Sequence, residues 1–184
     1  MSYDKEFWDK YANENETRYN EEFSKYTRDL ATSLHCISVL EIGCGTGIDL
    51  RLFPDTFQIY GVDLNDNALK MARDKMSFAN FKMASITDLP FEDSSIDFVF
   101  THQLLNYLDN DSLDKGIAEM YRVARKYIMN CEKFEEIEKQ IDENQKFRNV
   151  YKRWLNYNVR IVSNVDMHVD IDPDKSRFTL LKKL

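Results

Sequence analysis

Three of the chain's five glycines, Gly43, Gly45 and Gly47, stand within five residues of one another. They follow directly on Ile37-Ser-Val-Leu-Glu-Ile42, a short β-branched run of the kind that forms a buried strand. Glycine permits positive φ and lets a backbone approach a ligand with no Cβ between them, and a strand-to-helix turn built this way exposes N–H groups. The pattern predicts a site for a nucleotide-like ligand at the end of the first strand. Two familiar ligand loops do not fit. No Gly-Lys-Ser/Thr follows, as a phosphate loop requires, and in G-x-G-x-x-G the last glycine would fall on Ile48.

The rest of the chain alternates. Phe7, Trp8, Tyr11, Tyr19, Phe23, Tyr26, Leu30 and Leu34 recur at three- and four-residue spacings among charges, which predicts a leading cap of amphipathic helices. After the glycine loop come a second strand at Phe57–Val62, a helix at Asn67–Met76 and a third strand at Phe81–Ala84. A fourth strand at Asp97–Thr101, a helix from Ser112 to Ala124 with Ser112 as N-cap, and a fifth strand at Lys126–Asn130 follow. Repeated strand–helix–strand units imply an α/β fold with a parallel sheet and helices on both faces. Beyond it the pattern predicts a charged helix from Phe134 to Leu155, then strands at Val159–Val162 and Arg177–Leu181 able to pair as a hairpin. No internal repeat or linker separates a second domain.

The residues Val39-Leu-Glu41-Ile-Gly43-Cys-Gly45-Thr-Gly47 match in full the first motif of class I S-adenosylmethionine (SAM)-dependent methyltransferases, and the chain resembles that family, specifically methyltransferase domains of the type 11 kind. The second strand ends in Asp63, sixteen residues after Gly47, where the family has its ribose-binding acid. A carboxylate there accepts from both cis hydroxyls; the plainer role of such an Asp is to cap the next helix. Asp88-Leu-Pro-Phe91 and Asp93-Ser-Ser-Ile-Asp97-Phe-Val99 resemble the stretch between the family's third and fourth strands. The likeness covers roughly residues 37 to 130. One departure is visible: the Asp that usually meets the adenine amino group is Ser85 here.

What the resemblance implies is a Rossmann-like, doubly wound, seven-stranded and mostly parallel sheet with an antiparallel last strand. The domain divides into a helical cap (1–36), a SAM-binding core (37–130) and a helix with a C-terminal β-hairpin (131–184). The implied cofactor set is Glu41, Gly43, Cys44, Gly45, Thr46, Gly47, Asp63, Leu64, Ser85, Ile86, Thr101, His102 and Gln103, with S-adenosylhomocysteine as product. The cofactor supplies the electrophile, so the protein mainly aligns an acceptor. An oxygen or nitrogen acceptor still loses a proton, for which His102 is the first candidate base and His168 the second. The competing readings are that His102 only contacts the cofactor or packs on the turn, and that Asp166, His168, Asp170 and Asp172 form a solvated acidic loop.

The resemblance also implies that the leading helix closes over SAM, with Trp8, Tyr11 and Tyr19 in contact, though core packing accounts for them equally. The basic half of the charged helix (Lys146, Arg148, Lys152, Arg153) suits an anionic acceptor, or else pairs with its acidic neighbours on a solvated face. Glu6-Phe7-Trp8, the fourth-strand Phe-Val-Phe-Thr and Phe178-Thr-Leu-Leu-Lys182 resemble methylases associated with pseudaminic acid biosynthesis, which implies a sugar or nucleotide-sugar acceptor.

Composition narrows the partners. A net charge of −7 argues against nucleic acid, whose phosphates call for clustered Lys and Arg. No apolar h-region or membrane-length run is present, so a cytoplasmic protein acting on a small molecule as a monomer or homodimer is expected. The three cysteines, Cys36, Cys44 and Cys131, lie far apart with no C-x-x-C, which predicts free thiols and no metal. The alternatives in other classes are a catalytically silent SAM-binding module with a regulatory or partner-binding role and a nicotinamide-dependent oxidoreductase.

Overall fold

The run before the glycines is the centre of the sheet. Strand β1 (Ser38–Ile42) is buried at every position, as a strand covered on both faces must be. In the computed structural model, which describes residues 5–15 and 20–184, β1 pairs in parallel with β2 (Gln58–Asp63) on one side and β4 (Ile96–His102) on the other. Strand β3 (Asn80–Met83) extends the sheet beyond β2, and β5 (Ala124–Glu132) extends it beyond β4, both in parallel. Strand β9 (Arg177–Lys183) runs antiparallel to β5, and β8 (Val159–Asp166) pairs antiparallel with β9 at the edge. The seven-stranded order is β3-β2-β1-β4-β5-β9-β8. It reverses direction between β1 and β4, the position where open α/β sheets form a ligand crevice at their C-terminal ends.

Helices cover both faces. Helices α2 (Glu21–Ser33) and α3 (Asp66–Lys75) lie on one side, where Phe23 and Ala31 of α2 and Leu69 and Ala72 of α3 pack with Val39, Phe98, Phe100 and Met129, and α1 (Lys5–Asn15) rests on α3. Helices α4 (Asn110–Val123) and α5 (Val150–Trp154) lie on the other, where Leu113, Ile117, Met120 and Trp154 meet Leu40, Ile42, Val99 and Ile128. Among the described residues no helix is long and apolar enough to cross a membrane.

Two expectations are corrected. The N-cap of α4 is Asp109, whose Oδ1 accepts from the Ser112 N–H at 2.7 Å, so Ser112 is the capped residue and not the cap. The predicted helix from Phe134 to Leu155 is mostly not helical. It holds a two-stranded hairpin of β6 (Lys139–Gln140) and β7 (Lys146–Phe147), and only Val150–Trp154 forms a helix. The acidic half folds back on the basic half: Arg148, 1% exposed, donates to Glu138 at 2.9 Å, to Asn110 at 2.8 Å and to the Leu108 carbonyl. Lys152 pairs with Glu136, and Arg153 with Asp114. Local helix propensity is weak where no apolar stripe reinforces it, and a buried guanidinium with three acceptors outweighs it.

Asp97 shows how the motif of the fourth strand serves the fold. Its side chain is wholly buried and accepts from the Ile37 N–H at 2.9 Å, from Arg125 and from Lys126 at 3.1 Å. Burial works against its charge, but the Ile37 N–H and the two cations hold the carboxyl below the usual carboxylate range. A depressed folded value adds stability above the unfolded value, and that stability is lost as pH falls through the folded one. Asp97→Asn is therefore expected to lower the free energy of unfolding by about 2–3 kcal/mol at neutral pH. The gap from wild type in urea titrations should close as the pH drops below about 4.

Candidate functional site

The glycine loop leaves β1 through Gly43, at φ +75°, where an added Cβ would sit 2.8 Å from a methyl of Leu104. The N–H groups of Gly43 and Cys44 both donate to the Val62 carbonyl, at 2.8 and 3.1 Å, and tie the loop to β2. Gly47 N–H closes the turn on the Cys44 carbonyl at 2.8 Å and leads into a 3-10 turn at Ile48–Leu50. Gly45 differs from its neighbours: at φ +50° its added Cβ would meet nothing within 4 Å. The backbone there faces open space, and no side chain could take that conformation without strain. Cys44 and Thr46 are buried, so from those positions it is backbone that the loop offers.

Asp63, the last residue of β2, reaches across to this loop. Its Oδ2 accepts from Gly45 N–H and its Oδ1 from Asn65 N–H, each at 2.8 Å. Burial raises its pKa, and these two donors oppose the shift. A carboxylate has about four lone-pair sites, so the acid keeps acceptor capacity while being held in place. Capping of α3 falls instead to Asn65, whose side chain accepts from Asn67 and Ala68. Leu64, next to Asp63, is 70% exposed, an apolar surface beside an anchored acid.

Beneath the loop lies a buried line of acids. Glu41 is 3% exposed and its Oε2 has no hydrogen-bond partner. Burial, with the charges of Asp49 and Asp63 nearby, pushes its carboxyl well above the ordinary range. Asp49 Oδ2 lies 2.7 Å from His102 Nδ1, and the His102 ring stacks on Phe23 of α2 at 3.8 Å between centroids. Burial alone would lower the His102 pKa; Asp49, with Asp172 and Glu132 behind it, reverses this and raises it.

The tip of β4 is held from the other side. Thr101 is buried, donating to Glu132 Oε1 and accepting from Asn130 Nδ2, both at 2.8 Å, so its hydroxyl is spent inside the protein. Glu132 Oε2 also accepts from Leu105 N–H at 3.0 Å, fixing the 3-10 turn at Leu105–Tyr107. Burial raises the Glu132 carboxyl to about 7, against the pull of Thr101 and His102. Gln103 takes φ +50°, its N–H bonded to the Cys131 carbonyl at 2.9 Å and its side chain to Asp174 at 2.8 Å. Across this end runs α1, resting on α3 and placing Trp8 edge-on to Tyr107 at 5.0 Å. Tyr19 lies outside the described residues.

The structure thus gathers Glu41, Gly43, Cys44, Gly45, Thr46, Gly47, Asp63, Leu64 and His102 at one end of the sheet. It leaves others aside. Ile86 packs into the core, close enough that a Cβ on Gly116 of α4 would meet it at 2.9 Å, so it offers a ligand its backbone only. Ser85 Oγ is 2.8 Å from Thr87 Oγ1 and accepts from Thr87 N–H. In the β8–β9 loop, Asp172 turns inward and is buried, whereas the His168 side chain is 69% exposed and is paired with Asp170. Asp49, Phe23, Asn130 and Glu132 were not legible as site residues. The one available signal was an Asp two positions past the last loop glycine. A cleft of about 450 Å³ between α4 and α5 is lined by Asp114, Ile117, Arg153, Asn156 and Tyr157 and takes no residue from the loop or the β2 tip.

Comparison with known proteins agrees with this geometry. Residues 40–127 match the family described as "Methyltransferase domain". The malonyl-[acyl-carrier protein] O-methyltransferase of Pectobacterium atrosepticum is 29% identical over 90 residues, 48% of this chain and 35% of that protein. This chain spans less than half the length of the curated relatives it matches. Phosphoethanolamine N-methyltransferase 1 of Haemonchus contortus, solved with phosphoethanolamine and S-adenosylhomocysteine, superposes with a TM-score of 0.75 at 20% identity, covering 98% of this chain and 48% of that one. A SAM-dependent methyltransferase of Clostridium acetobutylicum gives 0.71 at 14% identity, covering 89% and 92%. The glycine motif, the acid at the tip of β2, the strand order and the matched span agree, and residues 40–127 form a domain of the class I SAM-dependent methyltransferase family.

Proposed function

We propose that this protein transfers the methyl group of SAM to an oxygen or nitrogen of a small-molecule acceptor. The observation that carries the reading is the open backbone of Gly45 beside the anchored Asp63 and the exposed Leu64, at the point where the strand order reverses. When bound, SAM supplies the activated methyl on its sulfonium. The residues present suit it. Asp63 has lone pairs left for ribose hydroxyls, Leu64 and the backbone of Ser85 and Ile86 flank a place for a flat base, and the open face of Gly45 leaves room for its polar end. A cationic ligand near the loop would favour the ionised form of the buried Glu41 carboxyl, which burial and its acidic neighbours disfavour.

Alignment does most of the remaining work. Glu132 fixes the turn after β4, α1 closes the end of the sheet, and the two together shape the space an acceptor enters. His168, out in solvent, is a poor base for that space. Three of the four cations that the sequence offered to an anionic acceptor, Arg148, Lys152 and Arg153, are engaged by Glu138, Glu136 and Asp114, so a nucleotide-sugar acceptor, which the subfamily resemblance favours, would be held mainly by neutral donors.

The test is calorimetric titration with SAM, S-adenosylhomocysteine and NAD, followed by an acceptor screen that begins with nucleotide sugars and follows release of S-adenosylhomocysteine. Binding of both adenosyl ligands, silence toward NAD and turnover with one acceptor is the expected result. NAD binding in place of SAM would replace the reading with an oxidoreductase. SAM binding without transfer to any acceptor would leave a silent module.

A further inference from the structure

Methyl transfer leaves one cluster of reactive side chains unused. A ring nitrogen of His102, the thiol of Cys131 and a carboxylate oxygen of Asp172 all lie within 4.8 Å of one another. They come from three separate stretches of chain: His102 ends β4, Cys131 stands opposite it in register on β5, and Asp172 arrives from the β8–β9 loop. Cys131 and Asp172 are buried, at 0% and 3% exposure, and the sulfur is 3.9 Å from Asp172 Oδ2. Phe23 covers the imidazole face.

The surroundings fit a metal ion better than a set of hydrogen bonds. His102 Nδ1 is engaged by Asp49 at 2.7 Å, while Nε2 is buried with no partner. A metal-binding histidine is usually held in this way, one nitrogen on a carboxylate and the other left for the ion. Asp172 is itself fixed, accepting from Asp174 N–H at 3.0 Å and from Ser176 N–H at 2.9 Å. Imidazole, thiolate and carboxylate together form a set suited to zinc, whereas calcium and magnesium take oxygen ligands. In a tetrahedral zinc site the sulfur and a carboxylate oxygen are separated by about 3.5 Å, so this pair needs a contraction of a few tenths of an ångström, and the histidine nitrogen, within 4.8 Å of both, closes on them to a similar separation.

We propose that His102, Cys131 and Asp172 bind one zinc-class divalent ion, with Asp49 orienting the histidine. Coordination transfers the thiol proton to solvent, leaves the thiolate, the carboxylate and the ion balanced in charge, and involves no change of oxidation state. The fourth position is open to water. His102 is then a ligand and not a free base. The inference does not depend on methyl transfer, and its readout is separate from SAM binding.

The full chain, stripped with EDTA and dialysed, is titrated with Co²⁺, and zinc in the untreated protein is measured by mass spectrometry. A thiolate-to-cobalt charge-transfer band that saturates at one equivalent and is displaced by Zn²⁺ is expected. Cys131→Ser should remove the band and Cys36→Ser should keep it. His102→Ala and Asp172→Asn should each weaken Zn²⁺ binding by tenfold or more, and Asp49→Asn by about tenfold. No charge-transfer band in wild-type protein that is folded by circular dichroism would overturn the proposal, as would a band that survives in Cys131→Ser.

Discussion

Asp63→Asn is expected to weaken SAM and S-adenosylhomocysteine binding by about a hundredfold while the protein stays folded. Each hydrogen bond to a charged acceptor contributes about 1.5–3 kcal/mol, and two of them to a ribose account for at least 3 kcal/mol, or about two powers of ten in Kd. The substitution removes the charge and replaces one acceptor oxygen with a donor. That new NH₂ faces one of the two N–H groups, of Gly45 and Asn65, that the carboxylate now receives. The β2 tip therefore loses one of these two anchoring bonds as well as its charged ligand contact. The checks are a calorimetric Kd for both ligands and a melting temperature. An unchanged Kd would show that Asp63 holds the loop and touches no ribose.

Trp154→Ala is expected to cost about 3–5 kcal/mol of stability in urea unfolding, the range for emptying a large aromatic site. Trp154 is the largest fully buried side chain, and its Nε1–H donates to Asn130 Oδ1 at 2.7 Å. Removing it leaves a void and a buried amide oxygen without a donor. Asn130 holds Thr101, Thr101 holds Glu132, and Glu132 holds the Leu105 N–H. Damage under α5 should therefore reach the turn that borders the site. Hydrogen exchange at the amides of Leu104 and Leu105 should speed up in Trp154→Ala and also in Trp154→Phe, which keeps most of the apolar volume but loses the indole N–H. Wild-type exchange in Trp154→Phe would mean that the chain of hydrogen bonds transmits nothing.

This network shows how a site of few side chains is made firm. The loop glycines supply open backbone but no rigidity of their own, so rigidity comes from Val62, which takes two loop N–H groups, and from Asp63, which takes a third. On the β4 side the same function falls to Glu132, a buried carboxyl that accepts from one hydroxyl and two backbone N–H groups. Both halves are preorganised before any ligand arrives, which favours binding by limiting what must be ordered.

The strands, the helices of the two cap and core layers, the glycine loop and Asp63 were legible from residue order, because each depends on local pattern: β-branched runs, three- and four-residue spacing, and glycine where φ must be positive. The segment from Phe134 to Leu155 was misread for the opposite reason. Its charges sit at helical spacing, yet what decides its shape is the burial of Arg148 against residues of α4, the turn before it and β6's flank. The surroundings of Cys131 were likewise not legible in the sequence: the sheet register sets it beside His102 and the returning loop adds Asp172, residues that stand 29 and 41 positions away. Sequence by itself determined the fold class, the cofactor family and the acid at the β2 tip. Only the tertiary structure decided which polar groups are left without partners and which meet across the sheet, because burial and long-range pairing are properties of the packed chain and not of any segment.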